Sequence, residues 1–349
     1  MEPYLQDLRD SALLSAIPWE KLDSRILLVT GASGLIGGTV AELAATACPS
    51  CTVIAGGRNR ERMEHRFAHL MGKSNFKLWI QDLSGNFSLP EKGISYIVHA
   101  AGMAAPVHYA QKPVEVIEEN FRSLSHLARL ALKESSCRLL YVSSDEVYGQ
   151  SSQDVLKEED CGYVPILQPR SCYPASKRLC ETLASSYACE YGLDTVIVRP
   201  SHVYGPFYTE SDNRVYAQFF RKAVKGEDLV MKSQGDQLRS WCYSVDCASA
   251  ILCVLLRGTK GQAYNISDNS SAFTIRELAE MTATAGGCSI GMALPPEEER
   301  RGYNPVRQSV LDTRKLLALD WRSLPKSPSE KIRTCLETRK EYEKDTAHP

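Results

Sequence analysis

Apolar residues fall first into short continuous runs and then into the three-to-four spacing of amphipathic helices, repeatedly along the chain. "RILLVT" (25–30) is followed by a helical pattern opening at Leu35. "TVIAGG" (52–57) precedes a charged segment from Arg58 to Leu70, and "FKLWIQD" (76–82) and "SYIVHA" (95–100) come next. A helix is predicted over Val114–Glu134, then the strand "RLLYVSS" (138–144), a helix over Ser176–Tyr191 and the strand "TVIVRP" (195–200). Strands without a polar face need cover on both sides. Their alternation with helices therefore predicts an α/β fold built on a doubly wound parallel sheet.

After "RPSHVYGP" (199–206) turns become denser and polar loops longer. Helices are predicted at about Arg214–Lys225, Val245–Leu256 and Thr274–Ala285, separated by strands such as "LVMKS" (229–233) and "AYNIS" (263–267). The expected organisation is an N-terminal helical extension over 1–24, in which Leu5, Leu8, Leu13 and Leu14 form the apolar stripe. The sheet domain follows over 25–200, with 243–267 returning to it. Residues 201–349 form mainly a smaller substrate-binding region that ends in a charged helix.

Composition narrows the function classes. A net charge of -1 over 349 residues gives no electrostatic case for nucleic acid or an anionic membrane surface. No apolar run approaches the roughly 18 residues of a spanning helix. The first 25 residues lack the continuous apolar core of a secretory signal. The twelve cysteines are scattered, and Cys48-x-x-Cys51 stands without a second Cys or His pair, so it reads as a loop coincidence. Seven dispersed histidines offer no metal cluster. A reducing, cytoplasmic location is expected.

The stretch "VTGASGLIGG" (29–38) carries the first candidate chemistry. Gly31, Gly34 and Gly37 lie between a predicted strand and a predicted helix, as a dinucleotide site of Rossmann type requires. The first glycine allows the tight turn, the second lets backbone approach a pyrophosphate, and the third lets helix and strand pack closely. Ser33, Leu35 and Ile36 would supply N–H groups at the helix start. The second strand ends "AGGRNRER" (55–62), with no acid to hold a free ribose 2′-OH and with Arg58 at its tip. NADP is therefore favoured, with NAD as the alternative. Asp82 and Leu83 after the third strand, and Ala100, Ala101 and Gly102 after the fourth, would flank the adenine and its ribose.

Tyr173-Pro-Ala-Ser-Lys177 opens a helix, and Ser143-Ser144-Asp145-Glu146-Val-Tyr-Gly follows a strand. With TGxxGxxG (Thr30 to Gly37), "RPSHVYGP" and "GDQLRSWCY", these motifs make the chain resemble the extended short-chain dehydrogenase/reductase superfamily. The resemblance is to its nucleotide-sugar epimerase and dehydratase branch and covers about residues 25 to 285. A lysine one helical turn beyond Tyr173 can lower the phenol pKa, so that the phenolate serves as base toward a sugar hydroxyl. Ser144 would hydrogen-bond the same hydroxyl. The resemblance implies transient oxidation of the sugar at C4 by a tightly bound, recycled cofactor.

The fate of the oxidised sugar depends on side chains beside the triad. In the 4,6-dehydratase form of the motif, which Asp145-Glu146 resembles, the Glu takes the C5 proton and the Asp protonates the departing C6 hydroxyl. Paired carboxylates also split their pKa values, which suits separate acid and base roles. A second resemblance, through Arg170-Ser171 and Asn213-Arg214, is to UDP-glucuronate decarboxylases. There Arg170 would grip a C6 carboxylate bidentately. Asp145 tilts the balance to dehydration, because a carboxylate beside an anionic C6 group would repel it. A 4-epimerase is a further alternative.

His202 stands where this family usually has Asn, a residue that commonly contacts the substrate. Arg214 and Arg239 lie in segments that hold the diphosphate and ribose in relatives, and a planar guanidinium fork suits phosphate. A nucleotide-diphosphate sugar is therefore the expected partner, with UDP ahead of dTDP. A homodimer is expected, with the helices at 114–134 and 176–191 facing a second copy. A reductase consuming NADPH would leave Asp145-Glu146 without a role, and a non-enzymatic dinucleotide sensor would not need Ser144, Tyr173 and Lys177 together.

Overall fold

The structure, a computed structural model, describes residues 1–14, 17–268, 270–293 and 306–347. Seven parallel strands form the central sheet: β1 (Ile26–Thr30), β2 (Thr52–Gly57), β3 (Phe76–Ile80), β4 (Ile94–His99), β5 (Arg138–Val142), β6 (Asp194–Pro200) and β7 (Ala263–Ile266). Their order is β7-β6-β5-β4-β1-β2-β3, so the chain reverses direction across the sheet between β1 and β4. That reversal opens a crevice at the carboxyl ends of the strands, where open α/β sheets bind their ligands.

The apolar runs are explained by which core each side chain enters. Leu27 and Val29 join the core under helices Leu35–Ala47 and Ser244–Arg257. Leu28 faces the opposite way, into a core with Leu124, Leu127, Cys180 and Ala184 from helices Pro113–Ala131 and Cys172–Glu190. Both faces of β1 are thus buried, which removes any polar alternation from its sequence. Helix Cys172–Glu190 begins earlier than its periodicity predicts, after a short 3-10 turn at Pro169–Ser171. Pro174 is tolerated there because first-turn N–H groups have no helical partner to lose.

Ala263–Ile266 pairs with the main sheet as β7, and the helix before it, Ser244–Arg257, packs on Leu35–Ala47. The smaller region centres on the strand Leu238–Tyr243. It pairs in parallel with His202–Tyr204 and with Gln308–Leu311, and in antiparallel with Ala272–Thr274. Gln308–Leu311 also pairs with Val155–Leu156, so this sheet sits over the chain that follows Ser144.

The N-terminal helix, Glu2–Leu14, buries Leu8 and half-buries Leu5 of the predicted stripe but not its last two leucines. Leu13 and Leu14 are exposed, whereas Tyr4, Asp7, Leu8 and Ser11 are buried. A polar network explains the choice. Tyr4 donates to Glu42 at 2.6 Å, and Arg66 binds the same carboxylate at 2.8 Å. Arg66 is 2 % exposed, packs its guanidinium 4.1 Å from the Phe207 ring centre, and donates to the Gly34 carbonyl at 3.3 Å. Asp7 is bound by Lys326 and by the Tyr243 hydroxyl. Lys331, fully buried, is held 2.8 Å from both Asp246 and Asp268. Cys48 and Cys51 are buried free thiols, and burial pushes Cys51 up to about 12, which makes it a poor thiolate. Among the described residues no helix is long and apolar enough to cross a membrane.

Candidate active site

The crevice at the carboxyl ends of β1, β2 and β4 is lined by Gly31, Ser33 and Gly34 of the first turn, by Arg58, by Asp82 and Leu83, and by Ala100, Ala101 and Gly102. All of these are residues the sequence singles out. Leu35, Ile36 and Gly37 do not line the crevice themselves; they form the first turn of the helix that Gly34, which does, caps without a side-chain bond. Gly31 adopts φ +72°, and a Cβ there would lie 2.5 Å from the Ala101 nitrogen and 2.6 Å from the Ala100 carbonyl. Gly37 is equally constrained, with the Gly31 oxygen 2.6 Å from where its Cβ would be. Beside Gly102, the buried Asn120 Oδ1 has no hydrogen-bond partner among the described residues, although its Nδ2 donates to Ser176. This cradle of bare backbone on a helix N-terminus fits a dinucleotide pyrophosphate.

β2 ends in Gly56 and Gly57 without an acid, and Arg58 lines the crevice. Arg60 and Arg62 do not. Arg60 pairs with Glu64, and Arg62 is half-buried near Arg66 and Tyr342. Asp82 is kept below the ordinary carboxylate value by the Ser84 N–H, with a smaller contribution from Arg58. Trp79 also lines the wall, against Gly56, and gives no signal in sequence beyond that of a β3 core residue.

The triad sits where β5 meets helix Cys172–Glu190. Lys177 is buried and donates to the Val142 carbonyl at 2.9 Å, and its ammonium lies 5.7 Å from the Tyr173 ring centre. Burial lowers Lys177 to about 8. The expected lowering of the Tyr173 phenol is not what the structure holds. Burial raises it, the field of Glu146 raises it further, and the Ser144 hydroxyl only partly opposes them. Two carboxylates and a desolvated pocket outweigh an ammonium turned toward a carbonyl. Tyr109, which the sequence does not single out, stacks on Tyr173 with ring centres 4.6 Å apart. His99 is buried between Thr30 and Ser123, and burial, with Lys177 beyond it, lowers it to about 3, so the ring is neutral.

The carboxylates have separate partners. Glu146 is gripped by Arg170 through two bonds of 2.9 and 3.0 Å, so the arginine expected at a sugar carboxylate is engaged by the protein itself. Asp145 is 8 % exposed and accepts from the Ser144 and Ser309 hydroxyls, each at 3.2 Å. His202 Nδ1 lies 3.4 Å from Oδ2, the oxygen that Ser309 also binds. Burial pushes the Asp145 carboxyl up, but His202, Ser144 and Ser309 together outweigh that and hold it below the ordinary carboxylate value. Ser309 arrives through the pairing of its strand with Leu238–Tyr243, a placement that no local pattern announces.

The arginines expected at the diphosphate are partly committed. Arg214 binds Asp212 through bonds of 2.6 to 3.2 Å, and its charge still reaches Tyr173 and Tyr109. Arg239 is buried and donates to the carbonyls of Leu238, Val306 and Arg307, with Asp145 within its field.

Comparison with known proteins agrees with this architecture. The family model for the NAD dependent epimerase/dehydratase family matches residues 27–267. UDP-glucuronic acid decarboxylase 6 of Arabidopsis thaliana is 30% identical over 254 residues, covering 73% of this chain and 72% of its own. UDP-glucuronic acid decarboxylase 1 of Xenopus tropicalis is 26% identical over 284 residues, and the match spans 80% of this chain but only 65% of that relative. A dTDP-glucose 4,6-dehydratase from Streptomyces venezuelae, solved with NAD bound, superposes with a TM-score of 0.76 at 25% identity, covering 90% of this chain and 97% of that one. The fold, the nucleotide-sugar relatives and the family model converge: the chain belongs to the NAD dependent epimerase/dehydratase family, within the extended short-chain dehydrogenase/reductases.

Proposed function

We propose that the chain is a nucleotide-sugar 4,6-dehydratase: it oxidises C4 transiently, eliminates water across C5–C6 and restores its cofactor within the turnover. A dinucleotide held on the Gly31–Gly34 turn and the 100–102 wall would supply the two-electron acceptor for C4 and the donor for C6. Tyr173 is the group set to take the proton of the 4-hydroxyl once its own raised phenol is ionised, Ser144 hydrogen-bonds that oxygen, and Lys177 holds positive charge 5.7 Å from the Tyr173 ring centre. A 4-keto group acidifies C5–H, and Glu146 is the base placed beside Tyr173 to remove it. NADP is the favoured dinucleotide because Arg58 faces the crevice and no acid occupies the tip of β2.

The commitment of Arg170 to Glu146 carries the choice of reaction. With that arginine engaged and Asp145 ionised, the pocket suits a neutral C6 hydroxymethyl and disfavours a C6 carboxylate. The relatives named UDP-glucuronic acid decarboxylases favour a second reading, in which Arg170 exchanges Glu146 for the sugar carboxylate. They also favour UDP as the nucleotide. The test is incubation with UDP-glucose, dTDP-glucose and UDP-glucuronate, read by mass spectrometry. Loss of water from a glucose substrate is expected. Loss of carbon dioxide from UDP-glucuronate would overturn dehydration in favour of the second reading.

A further inference from the structure

Asp145 is a poor proton donor as the protein holds it. Its carboxylate accepts one bond on each oxygen, from Ser144 and from Ser309, and Oδ2 also lies 3.4 Å from His202 Nδ1, so donors and a neighbouring imidazole favour its ionised form over a proton-carrying one. His202 is oppositely arranged. Nδ1 is buried against Asp145, while a third of the side chain remains exposed, so the opposite edge of the ring, with Nε2, is the accessible one. The ring is fixed by Trp241, with centres 5.4 Å apart, and Trp241 in turn stacks on Phe273. The register Trp241↔His202 between their strands locks this placement into the backbone. Arg239, the other cation near Asp145, spends its donors on three backbone carbonyls.

We infer that His202, oriented through Nδ1 by Asp145, is the general acid of the elimination, a catalytic residue that takes over the role expected of the aspartate. This rests on the dehydration proposed above. As Glu146 removes the C5 proton, the C5–H electron pair becomes the second C5–C6 bond, and the C6–O6 bond breaks with its pair staying on oxygen. His202 Nε2 delivers a proton to that oxygen, water departs, and the imidazole is left neutral beside Asp145. One proton is taken and one given, with no change of oxidation state in this step. Asp145 is then a positioning residue, which stabilises the imidazolium before the transfer and fixes which nitrogen is free.

A leaving group that needs little protonation separates this from a structural role. Wild type, His202→Asn and Asp145→Asn are compared on UDP- or dTDP-glucose, whichever the wild type dehydrates, and on its 6-deoxy-6-fluoro analogue. Water loss is read by mass spectrometry and fluoride by a selective electrode. His202→Asn and Asp145→Asn are each expected to lose about 100-fold or more in kcat on the hydroxyl substrate, the usual contribution of a positioned acid. On the fluoro analogue the loss is expected to stay within about fivefold. Equal losses on both substrates, or no loss on either, would overturn the assignment of His202. A wild type that releases neither water nor fluoride would instead sink the dehydration reading. Cofactor binding and melting temperature of each variant confirm that it folds.

Discussion

Replacing Gly31 by alanine tests whether the cradle at the end of β1 is a dinucleotide site. The residue sits at φ +72°, a region where an L side chain costs about 1–2 kcal/mol. The new Cβ would also meet backbone, not a movable side chain: the Ala101 nitrogen at 2.5 Å and the Ala100 carbonyl at 2.6 Å. That is nearly an ångström inside ordinary contact, and such overpacking costs about 1–3 kcal/mol. The strain is relieved by pushing 100–102 away from β1, which distorts the wall on which the cofactor must lie. If the combined 2–5 kcal/mol falls on binding, affinity drops about 30-fold to 3,000-fold, at tenfold per 1.4 kcal/mol. Gly102→Ala is the matched comparison, because its Cβ would meet only the side-chain oxygen of Asn120, at 2.5 Å. That variant is expected to lose less than about tenfold, since Asn120 can turn. Isothermal titration with NAD and NADP reads both. A Gly31→Ala protein that binds as wild type, or a Gly102→Ala protein that binds worse than Gly31→Ala, would rule out the cradle as the pyrophosphate seat.

Arg58→Ala is expected to weaken NADP at least tenfold while changing NAD less than threefold, one charge-assisted phosphate contact being worth about 1.5–3 kcal/mol; equal effects on both would remove the basis for preferring NADP. Lys177 titrates near 10.5 when unfolded and near 8 when buried, so its desolvation penalty is present in full below pH 8 and lifts between 8 and 10.5. Measured by urea unfolding, wild type should therefore gain on Lys177→Met by up to about 3 kcal/mol across that window, and a pH-independent difference would contradict the burial of a charged ammonium. Arg66→Met leaves the buried Glu42 carboxylate without its cation and should cost about 3–5 kcal/mol, whereas Arg66→Met with Glu42→Leu should recover most of it, and a double variant no better than the single would count against the pair. Val114, Ile117, Phe121 and Leu179 leave an exposed apolar stripe on the paired helices Pro113–Ala131 and Cys172–Glu190, so light scattering is expected to show a homodimer that Phe121→Asp disrupts; a monomeric wild type would remove that expectation.

Much of the scaffold is legible in sequence, for identifiable reasons. The parallel strands are covered on both faces and so are continuous apolar runs. The glycines of the first turn are forced by backbone approach at fixed spacing. Tyr173 and Lys177 declare themselves because one helical turn brings them together. What sequence hides is the partnership made across the fold. Ser309 is an ordinary serine until a strand pairing sets it against Asp145. Arg66 lies in a run of charges that reads as a solvated helix, yet it is buried under Phe207. The N-terminal helix follows the same rule: Glu42 and Lys326 draw Tyr4 and Asp7 inward beside Leu8, so counting leucines finds Leu5 and Leu8 but wrongly adds Leu13 and Leu14. Arg170 and Glu146 are each visible as candidates, but their mutual grip, which changes the chemistry proposed for both, appears only in three dimensions.

Helix Leu35–Ala47, which presents the phosphate end of the crevice, is packed chiefly by Ser244–Arg257, and that helix is itself pinned by Lys331 through Asp246. On the ribosome the glycine turn is made early, but the surface that supports it arrives long afterwards. The first two hundred residues must therefore wait with their apolar face uncovered, exposed to chaperones and to misassociation with neighbouring chains. A fragment ending at residue 200 would remain in that state, so splitting the protein between its cofactor and substrate halves should yield an aggregate, not a module. Contacts of such long sequence separation also predict slow assembly, in which the cofactor pocket is completed late.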